Sequence, residues 1–468
     1  MAVSAAAARP SLARNRPGEL ADPFPWAAAA AYACIYFALG DVRYAAHRNF
    51  VDLGIFAQTA ASAFGCFCNT VEGSHWAVHF SPILYVAGAL MRVWPSALSL
   101  IALAAIAGAL TIPPVYALVY RYADRRAARL AALVVFVYPP LAGVVFNDFH
   151  ENVFAPAAVA WLLWAFDGGK LWAMMAFAAV TLSIKEDQAL FLAIAGVLAF
   201  LRYRGTWPRG PAAAAIAGVA AALLYKFFFQ IEPAAAHHTQ WSPSRFYSWH
   251  PADAAALLPW GILQRLGFLL LAFLPLLFLP FFTRTALLLA APLAEVLLSR
   301  DSTTFTVGSH YAGAWCGYAL YAFTAALRPK FARSPARAYR MLIACAVLCA
   351  LEFAIANPLH PGYFLHAPQT RDARLDRFLR TLPPRVSIAT QEEAFTHLAA
   401  TDPNAAVLPE TAAQPIAACA ILIDEDFPES PRLQEAGARI RELVSSGVYR
   451  QTQRDGGIIL YTKPTPCR

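Results

Sequence analysis

Two stretches of this chain exclude most soluble folds. "ALSLIALAAIAGALTIPPVYALVY" (97–120) and "LGFLLLAFLPLLFLPFF" (266–282) are apolar on every face. A helix on the surface of a soluble protein keeps a polar stripe with a 3.6-residue period. These runs have none, and about 20 apolar residues cross a bilayer core of ~30 Å. Similar runs recur from residue 26 to residue 356, and hydrophobic residues make up 59% of the 468, against 14% charged. Soluble domains sit nearer about 45–50% and about 25%. The chain therefore reads as a mainly α, polytopic membrane protein.

The net charge of +8 matters less than where its arginines fall. Crossings are expected at 26–40, 97–120, 130–146, 152–166, 171–184, 188–201, 211–229, 266–282, 285–299, 311–327 and 341–356, eleven in all. If 82–95 is re-entrant or interfacial, the N-terminal arginines, 121–129, Lys170, 202–209, Arg284 and 328–340 share one side. That satisfies the positive-inside rule and predicts a cytoplasmic N-terminus and an external C-terminus in the plasma (inner) membrane. The N-terminal 1–25 reads as a cytoplasmic tail without a compact cleavable signal, so the run from Trp26 reads as an uncleaved helix. The membrane domain is 26–356, with a long first outer loop at 41–81.

After residue 357 the texture changes. Residues 357–380 read as a linker, and 381–468 as a small α/β domain outside the membrane. The runs at 386–390, 405–409, 419–424 and 457–463 read as strands, and 391–400 and 430–446 as helices. No G-x-G-x-x-G or P-loop marks a nucleotide site, and the eight cysteines have no zinc spacing. Cys345 and Cys349 read as packing residues on one helix face, and either Cys66 or Cys68 can form a disulfide with another partner.

"VFNDFHENVF" (145–154) sets acids and an imidazole between apolar runs. On the expected topology the outer side collects Asp52, His75, His79, Asp148, His150, Glu151, Lys185, Glu186, Asp187, Arg300, Asp301 and His310. Ionisable groups at membrane-embedded helix ends are costly unless they serve a site or a water-filled cavity. The bland reading is a set of polar loop ends. For Asp52 it is an N-cap of "LGIFAQTAASAF".

"FVDLGIFAQTAASAFG", "HFSPILYVAGALMRVWPSALSLI", "FNDFHENVFAPAAVAWLLWAF", "SIKEDQALFLAIAGVLAFL" and "GSHYAG" occur in an order that resembles a bacterial and archaeal membrane family catalogued as domain of unknown function 2079. "DFHEN" departs from that family's usual Asp-Phe-His-Pro-Glu by lacking the proline. The overall layout is similar to that of type C glycosyltransferases, such as the protein mannosyltransferases and the aminoarabinose transferase of lipid A. That resemblance implies a catalytic Asp in the first outer loop, interfacial helices, a soluble outer domain and a polyprenyl-phosphate-linked sugar as donor. Asp52 stands where the loop acid would be, and His79 of "HFSP" where relatives often carry Lys-Pro.

On this reading Asp52 is the candidate general base. Lys185, His79, His310 and Arg300 are candidate phosphate contacts. Asp148, His150 and Glu151, with Glu186 and Asp187 beside them, can position sugar hydroxyls or hold a divalent cation, the one candidate cofactor. Expected partners are membrane lipids and a polyprenyl-phosphate-linked sugar, not nucleic acid. The alternatives are a transporter or lipid flippase, or a non-catalytic membrane scaffold. No repeat relates the two halves, and the charges lie at helix ends rather than mid-span, which favours a one-sided site.

Overall fold

The computed structural model describes residues 18–235 and 260–464, apart from 356, 384–385, 412 and 428. Most of the N-terminal tail, and the centre of the loop expected after 229, lie outside the described residues.

The membrane domain opens with α1 (Pro23–Ala45). Asp22 caps it by accepting from the Phe24 N–H at 3.0 Å, with Pro23 in the first turn, where a missing donor costs nothing. After α2 (Val51–Ala61) and α3 (Leu84–Val93) come α4 (Ala97–Ala109) and α5 (Ile112–Tyr120). The last two form one apolar stretch, stepped before Pro113 and Pro114. Next, α6 (Arg125–Phe136) and α7 (Pro139–Phe146) meet at a 47° bend beside Pro139 and Pro140. There follow α8 (Ala155–Gly168), closed by Gly169 in the left-handed region, α9 (Leu171–Leu182), α10 (Glu186–Tyr203) and α11 (Arg209–Lys226).

Among the described residues four helices suffice by length and apolarity to cross a membrane: Pro23–Ala45, Ala97–Tyr120, Arg209–Ala235 and Pro335–Ile355. The bent α6–α7 pair makes a fifth. Of the other expected crossings, those within Glu186–Tyr203 and Gly313–Arg333 form helices long enough but less apolar, and the rest are shorter or broken. The 266–282 run divides into a helix, Trp260–Phe273, and 3-10 turns around Pro275 and Pro280. The 285–299 run begins as a 3-10 turn, Arg284–Leu289, before the helix Ala290–Leu298. Proline removes the donor a continuous helix needs. At ten residues, α3 is too short to span.

The helix Gly313–Arg333 runs through the core, which closes around Trp315, Tyr318, Tyr32, Tyr116 and Tyr138. At one end of the bundle Arg121 pairs with Glu19 at 2.7 Å and Asp167 at 3.0 Å, Lys170 with Glu19 at 2.7 Å, and Arg129 with Asp22 at 3.0 Å. Arg43, in the last turn of α1, marks the opposite end.

The first outer loop holds a hairpin of β1 (Cys68–Asn69) and β2 (Gly73–Ser74), and the C-terminal part carries a five-stranded sheet. Its strands are β3 (Ile388–Thr390), β4 (Ala405–Val407), β5 (Ala420–Asp424), β6 (Arg450–Asp455) and β7 (Ile458–Thr462), in the order β4-β3-β5-β7-β6. β3 runs parallel to β4 and β5, and β7 runs antiparallel to β5 and β6. Two differences from the sequence reading stand out. Thr370–Thr381, expected as linker, is a helix whose Leu375 and Phe378 pack into the sheet's core. β6, "RQTQRD", is exposed throughout and so shows no alternation to detect.

Candidate functional site

The site is organised by the start of α2. Its N-cap is Phe50, which offers no side-chain acceptor. The orphan N–H groups of the first turn are met from elsewhere. Val51 N–H donates to Glu392 Oε2 at 3.2 Å, and Leu53 N–H to Asp148 Oδ2 at 3.4 Å. Two carboxylates at a helix N-terminus suit its dipole. Asp52, in the same turn, is therefore not the cap, and the bland reading of that residue is replaced by Glu392 and Asp148.

Asp148 is fully committed. Its Oδ1 pairs with Arg43 Nη2 at 2.7 Å and accepts from Asn49 Nδ2 at 3.0 Å. Arg43 in turn donates to Phe146 O at 2.8 Å and Arg48 O at 3.0 Å. Burial pushes the Asp148 carboxyl above its ordinary value, and Arg43 opposes that rise. Asp148 thus ties α1, the 147–150 turn and α2 together.

Asp52 is different. Burial, then the negative charges of Asp148, Glu72, Glu392 and Glu151, push its carboxyl up to about 7. It borders a 550 Å³ cavity with Arg43, Asn147, His310 and Tyr311. The segment after the helix Pro335–Ile355 completes the lining with His360, Tyr363 and Phe364. Phe364 also lies 4.0 Å from the Arg43 guanidinium.

Beyond His310 lies a buried layer of charge. Glu151, wholly buried, is held between His150 Nδ1 at 2.8 Å and Lys185 Nζ at 3.4 Å. His79 Nδ1 meets Glu186 Oε1 at 2.9 Å, and the other Glu186 oxygen accepts from Phe80 N–H at 2.9 Å. Burial opposes ionisation of Glu151, yet His150 and Lys185 outweigh it and hold the carboxyl well below its usual range. Lys185 likewise stays charged: burial pulls it down, but Glu151, Asp187 and Glu186 raise it well above the ordinary value. His150 stacks on His310 with centroids 4.0 Å apart, linking the layer to the cavity. Burial, with His150 and Lys185 nearby, holds His310 well below the usual imidazole range. His310 is therefore neutral at neutral pH, and Asn147 Oδ1 lies 3.3 Å from its Nδ1.

The expected site residues thus separate. Asp52 and His310 border the cavity. His79, His150, Glu151, Lys185 and Glu186 form the layer behind it, and Asp187 lies there with Glu295, an acid the sequence reading passed over. His75 pairs with Glu72 at 3.2 Å, beside a short hairpin stapled by a Cys66–Cys68 disulfide. Arg300 is exposed, outside the cavity lining, and Asp301 caps a 3-10 turn through the Thr303 N–H at 2.9 Å. Arg43, Tyr311, His360, Tyr363 and Glu392 were missed. Arg43 had a signal: it stands at the outer end of an apolar run, where the positive-inside rule disfavours arginine.

Backbone comparison defines the class first. ArnT from Cupriavidus metallidurans bound to undecaprenyl phosphate aligns over 93% of this chain and 97% of its own, with a TM-score of 0.55 at 11% identity. The same protein in its apo state aligns over 93% and 98%, with a TM-score of 0.50 at 12% identity. The fold is that of the type C glycosyltransferases. Within that fold the chain belongs to the family described as Predicted membrane protein (DUF2079), whose model matches residues 48–460. No curated protein matches it.

Proposed function

We propose that this chain is a membrane glycosyltransferase that moves a sugar from a polyprenyl-phosphate donor to an acceptor at the outer face of the plasma membrane. In this arrangement the N-terminus is cytoplasmic, and the C-terminal sheet domain lies outside. The observation that carries the reading is the state of Asp52. It is a carboxyl bordering a 550 Å³ cavity, relieved of any capping duty and raised to about 7. A base with a pKa near the working pH is the most effective one. The fold likeness to a transferase whose structure is described as bound to undecaprenyl phosphate supports the donor class.

In the proposed step the acceptor oxygen forms a bond to the anomeric carbon as the bond from that carbon to the phosphate oxygen breaks. The electron pair leaves on the polyprenyl phosphate, and Asp52 takes the acceptor proton. The phosphate is already a good leaving group, so no strong acid is required. Arg43 supplies positive charge in the wall, held by Asp148, and the rings of Tyr311, Tyr363 and Phe364 offer flat apolar faces to a sugar. His150, Glu151, Lys185, His79, Glu186 and Asp187 act as positioning residues behind His310, and Arg300 meets the donor from the rim.

The test compares lipid-linked sugars and cell-envelope glycans by mass spectrometry, with the intact gene, without it, and with Asp52→Asn. Transfer falls by roughly a hundredfold or more in the variant at unchanged protein level. Full transfer by a normally expressed Asp52→Asn protein overturns the assignment.

A further inference from the structure

Away from the cavity, His47, Asp376 and His397 converge from three segments. His47 follows α1 and is fully buried, with φ at +52°, a left-handed conformation uncommon outside glycine. Asp376 sits on the helix Thr370–Thr381, and His397 in the last turn of the helix Glu392–Leu398.

The hydrogen bonds fix what each ring presents. His47 Nδ1 lies 3.3 Å from the Glu393 carbonyl, and His397 Nε2 lies 3.1 Å from the Tyr44 carbonyl. A carbonyl only accepts, so these nitrogens carry the protons. In the neutral rings His47 Nε2 and His397 Nδ1 are then lone pairs, and both face Asp376 Oδ1, at 3.2 and 3.6 Å. Three acceptors facing one another repel unless something positive lies between them. Imidazoles oriented by carbonyls through their far nitrogen are the usual supporting arrangement of metal ligands. The donor atoms all lie within 4.8 Å of one another. Tetrahedral zinc, with bonds of about 2.0–2.1 Å, sets its ligands roughly 3.3 Å apart.

We propose that His47, Asp376 and His397 form a zinc site that fastens the C-terminal domain to the outer end of α1, with water as the fourth ligand. The two imidazoles are stacked 3.8 Å apart, so loading opens that stack until the ion lies in both ring planes. His397, in the last turn of its helix and not wholly buried, provides that movement by turning out of its place between the His47 and Tyr44 rings, and the partly exposed Asp376 follows. The site is separate from the proposed transfer chemistry: it makes no use of Asp52, and its readout is metal content.

Full-length protein in detergent is stripped with a chelator, loaded with Zn²⁺, desalted and assayed for zinc per chain. The same protein is titrated with Co²⁺ and followed by visible absorption. Wild type retains one zinc per chain and gives a tetrahedral cobalt spectrum. Asp376→Asn and His397→Gln each weaken binding roughly a hundredfold, whereas His79→Gln in the other histidine cluster leaves it unchanged. Should His397→Gln fail to fold, Asp376→Asn decides, since Asp376 is partly exposed. Zinc then raises the thermal unfolding temperature of wild type and not that of the variant. No zinc uptake by wild type, uptake indifferent to Asp376→Asn, or a zinc-independent unfolding temperature overturns the proposal in favour of a proton shared among the three groups.

Discussion

Replacing Arg43 with leucine tests the element on which the cavity is built. The Arg43 and Asp148 side chains are 2% and 1% exposed. The change leaves a buried carboxylate with Asn49 and backbone N–H groups but no countercharge, and it removes donors from the Phe146 and Arg48 carbonyls. Breaking one side of a buried pair costs about 3–5 kcal/mol, whereas replacing both partners with apolar groups is often near neutral. Arg43→Leu should therefore lose about that much, and Arg43→Leu with Asp148→Leu should recover most of it. The pH dependence has a definite sign. Asp148 already titrates above its ordinary value, so the folded state holds more protons than the unfolded one between the two pKa values. Its contribution falls as pH rises through that window. Without Arg43 the window extends upward, so the deficit should be larger at pH 8 than at pH 5. Unfolding in mixed micelles, across the double-mutant cycle at both pH values, measures this. Strictly additive losses, or a deficit that grows on acidification, would refute the argument.

Further outcomes are expected. A Cβ on Gly54 would collide with the Phe395 ring, so Gly54→Ala should cost about 1–3 kcal/mol and speed proteolysis of the C-terminal domain, read by limited digestion. Glu151→Gln leaves Lys185 and His150 without their carboxylate in a buried layer and should lose about 3–5 kcal/mol, seen as a lower unfolding temperature. If Asp52 is the base, as proposed, its carboxyl, raised to about 7, should make transfer drop about tenfold per pH unit below that value and level off above it in a pH–rate profile.

What the sequence disclosed follows what each signal depends on. The apolar runs and the α/β tail were readable because burial on all faces, and β-branched runs such as "AILID", are local patterns. The acidic and imidazole clusters were found because charge is conspicuous beside greasy helices. Which of those residues face the cavity was hidden, since that depends on pairing across more than 90 positions, as with Asn49 and Asp148. Glu392 could not be tied to α2 at all: 341 residues separate it from the Val51 N–H it accepts. The breaks within 266–299 were not legible because hydropathy there is uniform, while the interruption of the first run falls at Pro275 and Pro280.

The distance in sequence between α2 and its partners has a consequence for biogenesis. α2 emerges from the ribosome early, yet Gln58 donates to the carbonyls of Asp402 and Ala405, and the first turn waits for Glu392. Until those residues have been synthesised and brought to the same side of the bilayer, the helix bearing Asp52 lacks the partners of its Val51 N–H and of Gln58. On the proposed function the chain would therefore be born inactive and gain its activity only when the segment carrying Glu392, Asp402 and Ala405 arrives, so that a nascent or truncated chain would do no chemistry on lipid carriers.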